Sequence, residues 1–120
     1  MSDLFSACSE GLEELKKYFK QGHGINDKDE YGQAAIHHCS QYGAIDALEY
    51  LIKNNADVNL IDEDGATPLM LGVEAYEHYK VTKLLLEAGA DPNIKDNYGD
   101  TALDKATLRN KSETISLLKN

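Results

Sequence analysis

The feature that most restricts the fold of this chain is a motif that occurs three times, 33 and then 34 residues apart. Its copies are the acidic segments Asp29–Gly32, Asp62–Gly65 and Asp96–Gly99. An asparagine precedes each copy at the same interval, at positions 26, 59 and 93. A period of this length is typical of repeat proteins, in which short supersecondary units stack in a row.

The residue pattern of each unit predicts a helix, a turn, a second helix and an extended loop. In the third unit Thr67 suits a helix N-cap, and Pro68 suits the first helical turn, where no backbone N–H is needed. The apolar spacing predicts a second helix at about Tyr79–Ala88, ended by Gly89. Such short helices do not persist alone, so they must bury their apolar faces on neighbouring units.

The third unit also carries family-specific residues. Gly65–Met70 resembles the G-x-T-P-L-H opener of the ankyrin repeat family, and Val81–Asn93 follows that family's second-helix-and-loop pattern. The resemblance covers about residues 4–119. It implies an all-α, ankyrin-like helix-turn-helix solenoid of about four repeats with short β-hairpin loops. Residues 1–120 would form a single domain with units at about 1–29, 30–62, 63–96 and 97–120, the first and last being truncated caps.

Several positions depart from the family pattern. His37 alone keeps the opener histidine, which the resemblance implies bonds across repeats. Ala34 replaces a threonine N-cap, a change typically worth ~1 kcal/mol. Asn55 stands where glycine ends the helix, and asparagine also tolerates the left-handed conformation. The third unit has one extra residue within Tyr76–Lys80, where we expect the chain to bulge.

The charge and the cysteines restrict the environment and the partners. A formal charge of −9 argues against nucleic acid and anionic membrane surfaces as partners, because phosphate binding needs clustered Lys and Arg. No apolar run is long enough for a transmembrane helix. The first residues lack the pattern of a signal peptide, so we expect Cys8 and Cys39 to be reduced thiols in a cytoplasmic protein that is also compatible with the nucleus.

The sequence favours no catalytic, cofactor or metal site. The neighbours in His37–Cys39 point about 100° apart on a helix and cannot converge on one ion. We expect His37 to bridge repeats, Cys39 to fill the core and His38 to be peripheral. The acidic loop Asp27–Gly32 lacks the glutamate that an EF-hand needs at position twelve. No nucleophile-elbow, phosphate-loop or dinucleotide motif occurs, so we expect a protein that is not an enzyme.

The resemblance implies that a protein partner binds the concave side, formed by the loop tips and the first helices. Tyrosines and carboxylates are mixed in this set, and tyrosine is a favoured interface anchor because it combines apolar area with a polar end. The predicted partner-binding residues are Glu30, Tyr31, Gln33, Gln41, Tyr42, Glu63, Asp64, Ala66, Glu74, Ala75, Asn97, Tyr98, Asp100, Leu108 and Arg109.

The negative charge is concentrated in the connecting loops. Residues 26–33, 59–66 and 91–100 together carry −7 of the net −9. If the loops align on one edge, this acidic stripe would select a basic protein segment and speed its approach. Ordinary polarity of exposed loops explains the same pattern, and both interpretations stay open at this point.

Two further alternatives concern assembly and modification. The first function we expect is a monomeric adaptor, scaffold or inhibitor; the alternative is a structural, self-associating subunit of a larger assembly. The resemblance also implies that Asn59 and Asn93 are candidates for hydroxylation, since each follows the spacing of a leucine, at 51 and 85. An asparagine that only stabilises its hairpin would look the same in the sequence.

Overall fold

The computed structural model describes residues 4–119, which form eight short helices in chain order. They are α1 Leu4–Glu10, α2 Leu12–Lys20, α3 Ala35–Tyr42, α4 Ile45–Lys53, α5 Pro68–Gly72, α6 His78–Glu87, α7 Ala102–Leu108 and α8 Ser112–Lys119. The helices form four consecutive pairs, as the repeat pattern predicts. None of the eight helices has the length and apolar composition that crossing a bilayer requires.

The pairs stack so that two layers of helices run along the molecule. The first helices α1, α3, α5 and α7 contact one another in order, and the second helices α2, α4, α6 and α8 do the same. The apolar stripes of both layers meet in one continuous core, so each short helix is stabilised by its neighbours. The largest fully buried apolar side chains are Leu15, Ile36, Leu48, Leu51, Leu69, Met70 and Leu85.

The first helices begin with different capping devices. Thr67 Oγ1 accepts the Met70 N–H at 3.2 Å, which confirms the predicted N-cap. At α7 the Thr101 hydroxyl accepts from the Asp104 N–H at 3.2 Å, while the Asp104 carboxylate accepts the Thr101 N–H at 2.9 Å. This reciprocal pair is a capping box. At α3, Ala34 supplies no hydroxyl, in agreement with its departure from the family pattern.

The second helices end and begin as the sequence predicts, with small shifts. Asn55 has φ 66°, which confirms that asparagine replaces glycine in the left-handed conformation after α4. α6 begins at His78 rather than Tyr79. Residues 73–77 separate α5 from α6, whereas two residues separate α3 from α4. The longer connection has room for the extra residue, as expected, and it also contains positions left free because α5 is shorter than α3; within it Tyr76 is 94% exposed.

The connecting loops make tight turns in place of paired β-strands. In the second loop the Asp62 N–H donates to the Ala66 carbonyl at 3.0 Å, and the Gly65 N–H donates to the Asp62 carbonyl at 2.9 Å. None of the residues from 4 to 119 is in a β-strand. The chain enters α5 two residues after Ala66, which leaves too little extended backbone for a ladder.

Candidate functional site

Three equivalent aspartates shape the loop tips. One oxygen, Oδ1, of Asp29, Asp62 and Asp96 accepts the backbone N–H groups two and four residues ahead, at 2.9–3.0 Å. Gln33 Nε2 donates to the other oxygen of Asp62 at 3.1 Å and so joins the first tip to the second. These three carboxylates hold the turns together, so this part of the predicted acidic stripe serves the fold.

The outer aspartates have cationic or imidazole partners. Lys105 Nζ lies 2.7 Å from Asp96 Oδ2. This bond lowers the pKa of Asp96 and raises the pKa of Lys105, each against the opposing effect of burial. Asp29 Oδ2 lies 2.9 Å from His38 Nε2. Partial burial raises the pKa of Asp29, but the hydrogen bonds from His38 and two backbone N–H groups outweigh it, and the pKa falls below its ordinary value.

The expectation that His38 is peripheral is wrong. Its side chain is 5% exposed, because α1 covers it with the ring of Phe5 at a centroid distance of 6.0 Å. The Tyr42 ring lies on another side, at 6.4 Å and nearly parallel. The ionised Asp29 carboxylate can only accept, so His38 Nε2 carries the hydrogen. His38 Nδ1 is buried and has no hydrogen-bond partner among the residues that the structure describes.

Backbone hydrogen bonds align the three tips. The Glu63 N–H donates to the Tyr31 carbonyl at 3.2 Å, and the Asn97 N–H donates to the Asp64 carbonyl at 2.9 Å. The Asn97 side chain also donates to the Glu63 carbonyl at 2.9 Å. The tips therefore lie side by side along one edge of the molecule, as the spacing of 33 and 34 residues predicts.

Beside this edge, three adjoining depressions of about 510, 300 and 230 Å³ form one groove, which we call the tip groove. Neighbouring depressions share Gln33, Gln41, Glu74 and Lys105. The predicted partner-binding residues that line the tip groove are Glu30, Tyr31, Gln33, Gln41, Tyr42, Asp64, Ala66, Glu74, Tyr98, Asp100, Leu108 and Arg109. Three others, Glu63, Ala75 and Asn97, are absent from its lining.

Two of the predicted partner-binding residues are buried and leave a partner little surface to contact. Ala66 is 7% exposed and Ala75 is 2% exposed. Ala66 is held from both sides, since its N–H donates to Asp62 and its carbonyl accepts from His37 of the preceding unit. Ala75 packs in the core at the bulge between α5 and α6.

Sequence reasoning missed other residues that line the tip groove, namely Leu4, Phe5, Asp29, His38, Asp62, Met70, Leu71, Asp96, Asp104 and Lys105. The recurrence of an aspartate three residues before each tip glycine could have identified Asp29, Asp62 and Asp96. No sequence signal places Phe5 in the groove, because its position depends on how α1 packs on α3.

Carboxylates dominate the lining of the tip groove. Its two cationic side chains are each held by a carboxylate: Lys105 by Asp96, and Arg109 by Glu74 with Nη2–Oε1 at 2.6 Å. The lining carboxylates are Asp29, Glu30, Asp62, Asp64, Glu74, Asp96, Asp100 and Asp104. The groove therefore has a surplus of negative charge.

The loop asparagines form a second series of contacts between units. Asn26 Oδ1 accepts the Asp57 N–H at 2.9 Å, and Asn59 Oδ1 accepts the Asp91 N–H at 2.8 Å. Each amide thus joins its loop to the loop of the next unit. These contacts support the structural interpretation of Asn59, while its hydroxylation stays a prediction.

Both cysteines are buried free thiols. A hydrogen bond with the Cys8 thiol, together with burial, raises the pKa of Cys39, so that Cys39 stays protonated. Between residues 4 and 119 no three His, Cys, Asp or Glu side chains are grouped so that they could hold a metal ion.

Comparison with known proteins identifies the architecture. A family model described as "Ankyrin repeats (3 copies)" matches residues 4–96. The human transient receptor potential cation channel subfamily A member 1 is 36% identical over 75 residues, 62% of this chain and 7% of its own length. The bovine ankyrin repeat and SOCS box protein 3 is 35% identical over 91 residues, 72% of this chain and 17% of its own.

A fission yeast relative, the Schizosaccharomyces pombe ankyrin repeat-containing protein P1E11.10, is 31% identical over 99 residues, 81% of this chain and 46% of its own. The chain therefore spans less than half the length of each of these relatives. Because the family model matches more than half of the chain, including α1–α6 and the first two loop tips, this chain belongs to the ankyrin repeat family.

Proposed function

We propose that this chain is a non-enzymatic interaction module, acting as an adaptor, scaffold or inhibitor, that binds a protein partner in the tip groove. The observation that carries the proposal is the groove itself, which runs past all three tips and contains exposed tyrosines among carboxylates. Tyr31 is 63% exposed and Tyr98 is 76% exposed, so both offer ring area that a partner can cover.

The surplus of carboxylates supports a partner with a basic segment. The exposed acids Glu30, Glu63, Asp64 and Asp100 lie at the tips, where their field steers an approaching cation. Complementary charge raises the association rate more than it raises the final affinity. In this function the module acts as a monomer, in the cytoplasm or the nucleus.

Paired tyrosine variants test the proposal. We expect Tyr31→Ala/Tyr98→Ala to lose a protein that the wild-type chain captures from its source cells and that binds it directly when purified. The matched control is Tyr76→Ala/Tyr79→Ala, which removes two exposed tyrosines outside the tip groove. It should retain the partner with the wild-type dissociation constant, measured by calorimetry.

Two results would contradict this function. Equal loss of binding in both double variants would show that the tip groove is not the binding surface. Sedimentation as a dimer or higher species at micromolar concentration, with the interface mapped to the tip groove, would favour a self-associating subunit.

A further inference from the structure

The first depression of the tip groove is walled by aromatic rings. Phe5 and Tyr42 contact each other edge to face, with ring centroids 5.7 Å apart and an angle of 88°. Tyr31 belongs to the same lining, and all three rings are partly exposed, by 43–63%. Exposed aromatic faces in a concave space attract cations through the negative charge above each ring.

The same depression is lined by two carboxylates. Asp29 and Glu30 belong to its lining, and Glu30 is exposed at its rim. Asp29 Oδ2 already accepts from His38 Nε2 at 2.9 Å, whereas no ion pair of Glu30 holds its carboxylate among the residues that the structure describes. Aromatic rings beside carboxylates favour a ligand that is positively charged and donates hydrogen bonds.

We propose that this depression, the aromatic pocket, binds the guanidinium group of an arginine side chain on the partner. The inference rests on the proposed function, because it names the group that the partner inserts. Arginine fits better than lysine for two reasons. Its planar guanidinium stacks on aromatic rings and is weakly hydrated, and its several N–H donors can form two parallel hydrogen bonds with a carboxylate.

A small arginine analogue tests the pocket without the partner. The uniformly 15N-labelled chain is titrated with N-acetylarginine amide, and in parallel with the amides of N-acetylcitrulline and N-acetyllysine. Citrulline has the shape of arginine without its charge. We expect arginine to shift the amide signals of Gln33, Gln41 and Tyr42 saturably, citrulline to shift none of them, and lysine to bind at least threefold more weakly.

Two variants locate the site while keeping the fold. Glu30→Gln removes an exposed charge, and Tyr42→Leu removes a ring face while keeping an apolar contact for Phe5 and His38. Each should weaken binding of N-acetylarginine amide about threefold, the effect expected of one exposed ion pair or cation–π contact. Tyr76→Ala removes an exposed tyrosine outside the tip groove and should leave this affinity unchanged.

The outcomes separate this inference from the proposed function. Equal shifts by the arginine and citrulline amides, or tighter binding of the lysine amide, would overturn the arginine assignment even if the partner still needs Tyr31 and Tyr98. An arginine-specific shift that Glu30→Gln and Tyr42→Leu both weaken supports it. If the pocket binds arginine in this way but the partner binds the chain outside the tip groove, only the proposed function is refuted.

Discussion

His37 joins two units through both nitrogens of one buried ring. Nδ1 accepts the Ala34 N–H at 3.1 Å, which compensates for the missing cap hydroxyl, and Nε2 donates to the Ala66 carbonyl at 3.2 Å. This arrangement confirms the predicted bridge and requires a neutral imidazole. Burial lowers the pKa of His37 below its ordinary 6.5, outweighing the Ala66 carbonyl and the nearby Asp62, which raise it.

The lowered pKa of His37 predicts a loss of stability in mild acid. Below pH 6.5 the unfolded chain binds a proton at this residue that the folded chain does not, so the free energy of unfolding falls as the pH decreases toward the folded-state pKa. We expect His37→Gln to cost about 1–3 kcal/mol at pH 7 and to reduce this slope. Urea unfolding at a series of pH values measures both quantities.

A second histidine contributes to the same pH dependence. Burial and Lys111 also lower the pKa of His78, so its titration leaves part of the slope in the His37 variant. Asp29 and Asp96 have pKa values below 3.8 and titrate at lower pH. If the slope between pH 6.5 and about pH 5 is the same in wild type and His37→Gln, the buried neutral ring is not its source.

Each loop tip depends on a glycine whose surroundings change along the stack. Gly32, Gly65 and Gly99 all have positive φ, between 75° and 84°. A Cβ at Gly32 would lie 2.9 Å from the Glu63 backbone nitrogen, and one at Gly65 would lie 2.9 Å from that of Asn97. At Gly99 nothing lies within 4 Å. The first two tips are therefore limited by the next unit, and the third only by its own backbone.

This difference predicts unequal effects of the same substitution. Gly99→Ala should cost about 1 kcal/mol, the strain of a left-handed alanine. Gly32→Ala and Gly65→Ala carry the same strain and also clash with backbone, so each should cost about 3 kcal/mol. Chemical denaturation of the three variants, which share one substitution, measures the order. Three equal losses would show that the positive φ alone sets the loss of stability. They would also show that a Cβ at Gly32 or Gly65 does not clash with the backbone of the next tip.

At the scale of the whole molecule, the sequence predicts what repeats and misses what depends on packing. The interval of 33 or 34 residues, the capping threonine Thr67 and the left-handed Asn55 follow from local chemistry, and the structure confirms the helix pairs that they predict. Ala66 is buried where His37, 29 positions away, bonds its carbonyl. The cover over His38 comes from Phe5, 33 positions away, and nothing in the local sequence records that contact.

The structure leaves fewer carboxylates of the acidic stripe free to attract a partner than the sequence suggests. This gives a sharper prediction about association. Asp29, Asp62 and Asp96 are engaged in the turns, whereas Glu63 and Asp64 are exposed at the central tip. We expect Glu63→Lys/Asp64→Lys to slow association with a basic partner about tenfold at low salt and to flatten its dependence on ionic strength. Stopped-flow association at several salt concentrations measures both effects.

The matched control reverses the same amount of charge away from the tips. Glu49 on α4 and Glu87 on α6 are exposed and lie together beside a depression between the second helices, outside the tip groove. If steering arises from the tips, Glu49→Lys/Glu87→Lys should slow association much less, because screening shortens the reach of distant charges to about 10 Å at 0.1 M salt. Equal slowing by both double variants would mean that only the net charge of the molecule attracts the partner. An unchanged association rate in Glu63→Lys/Asp64→Lys would show that the tip carboxylates do not steer the partner.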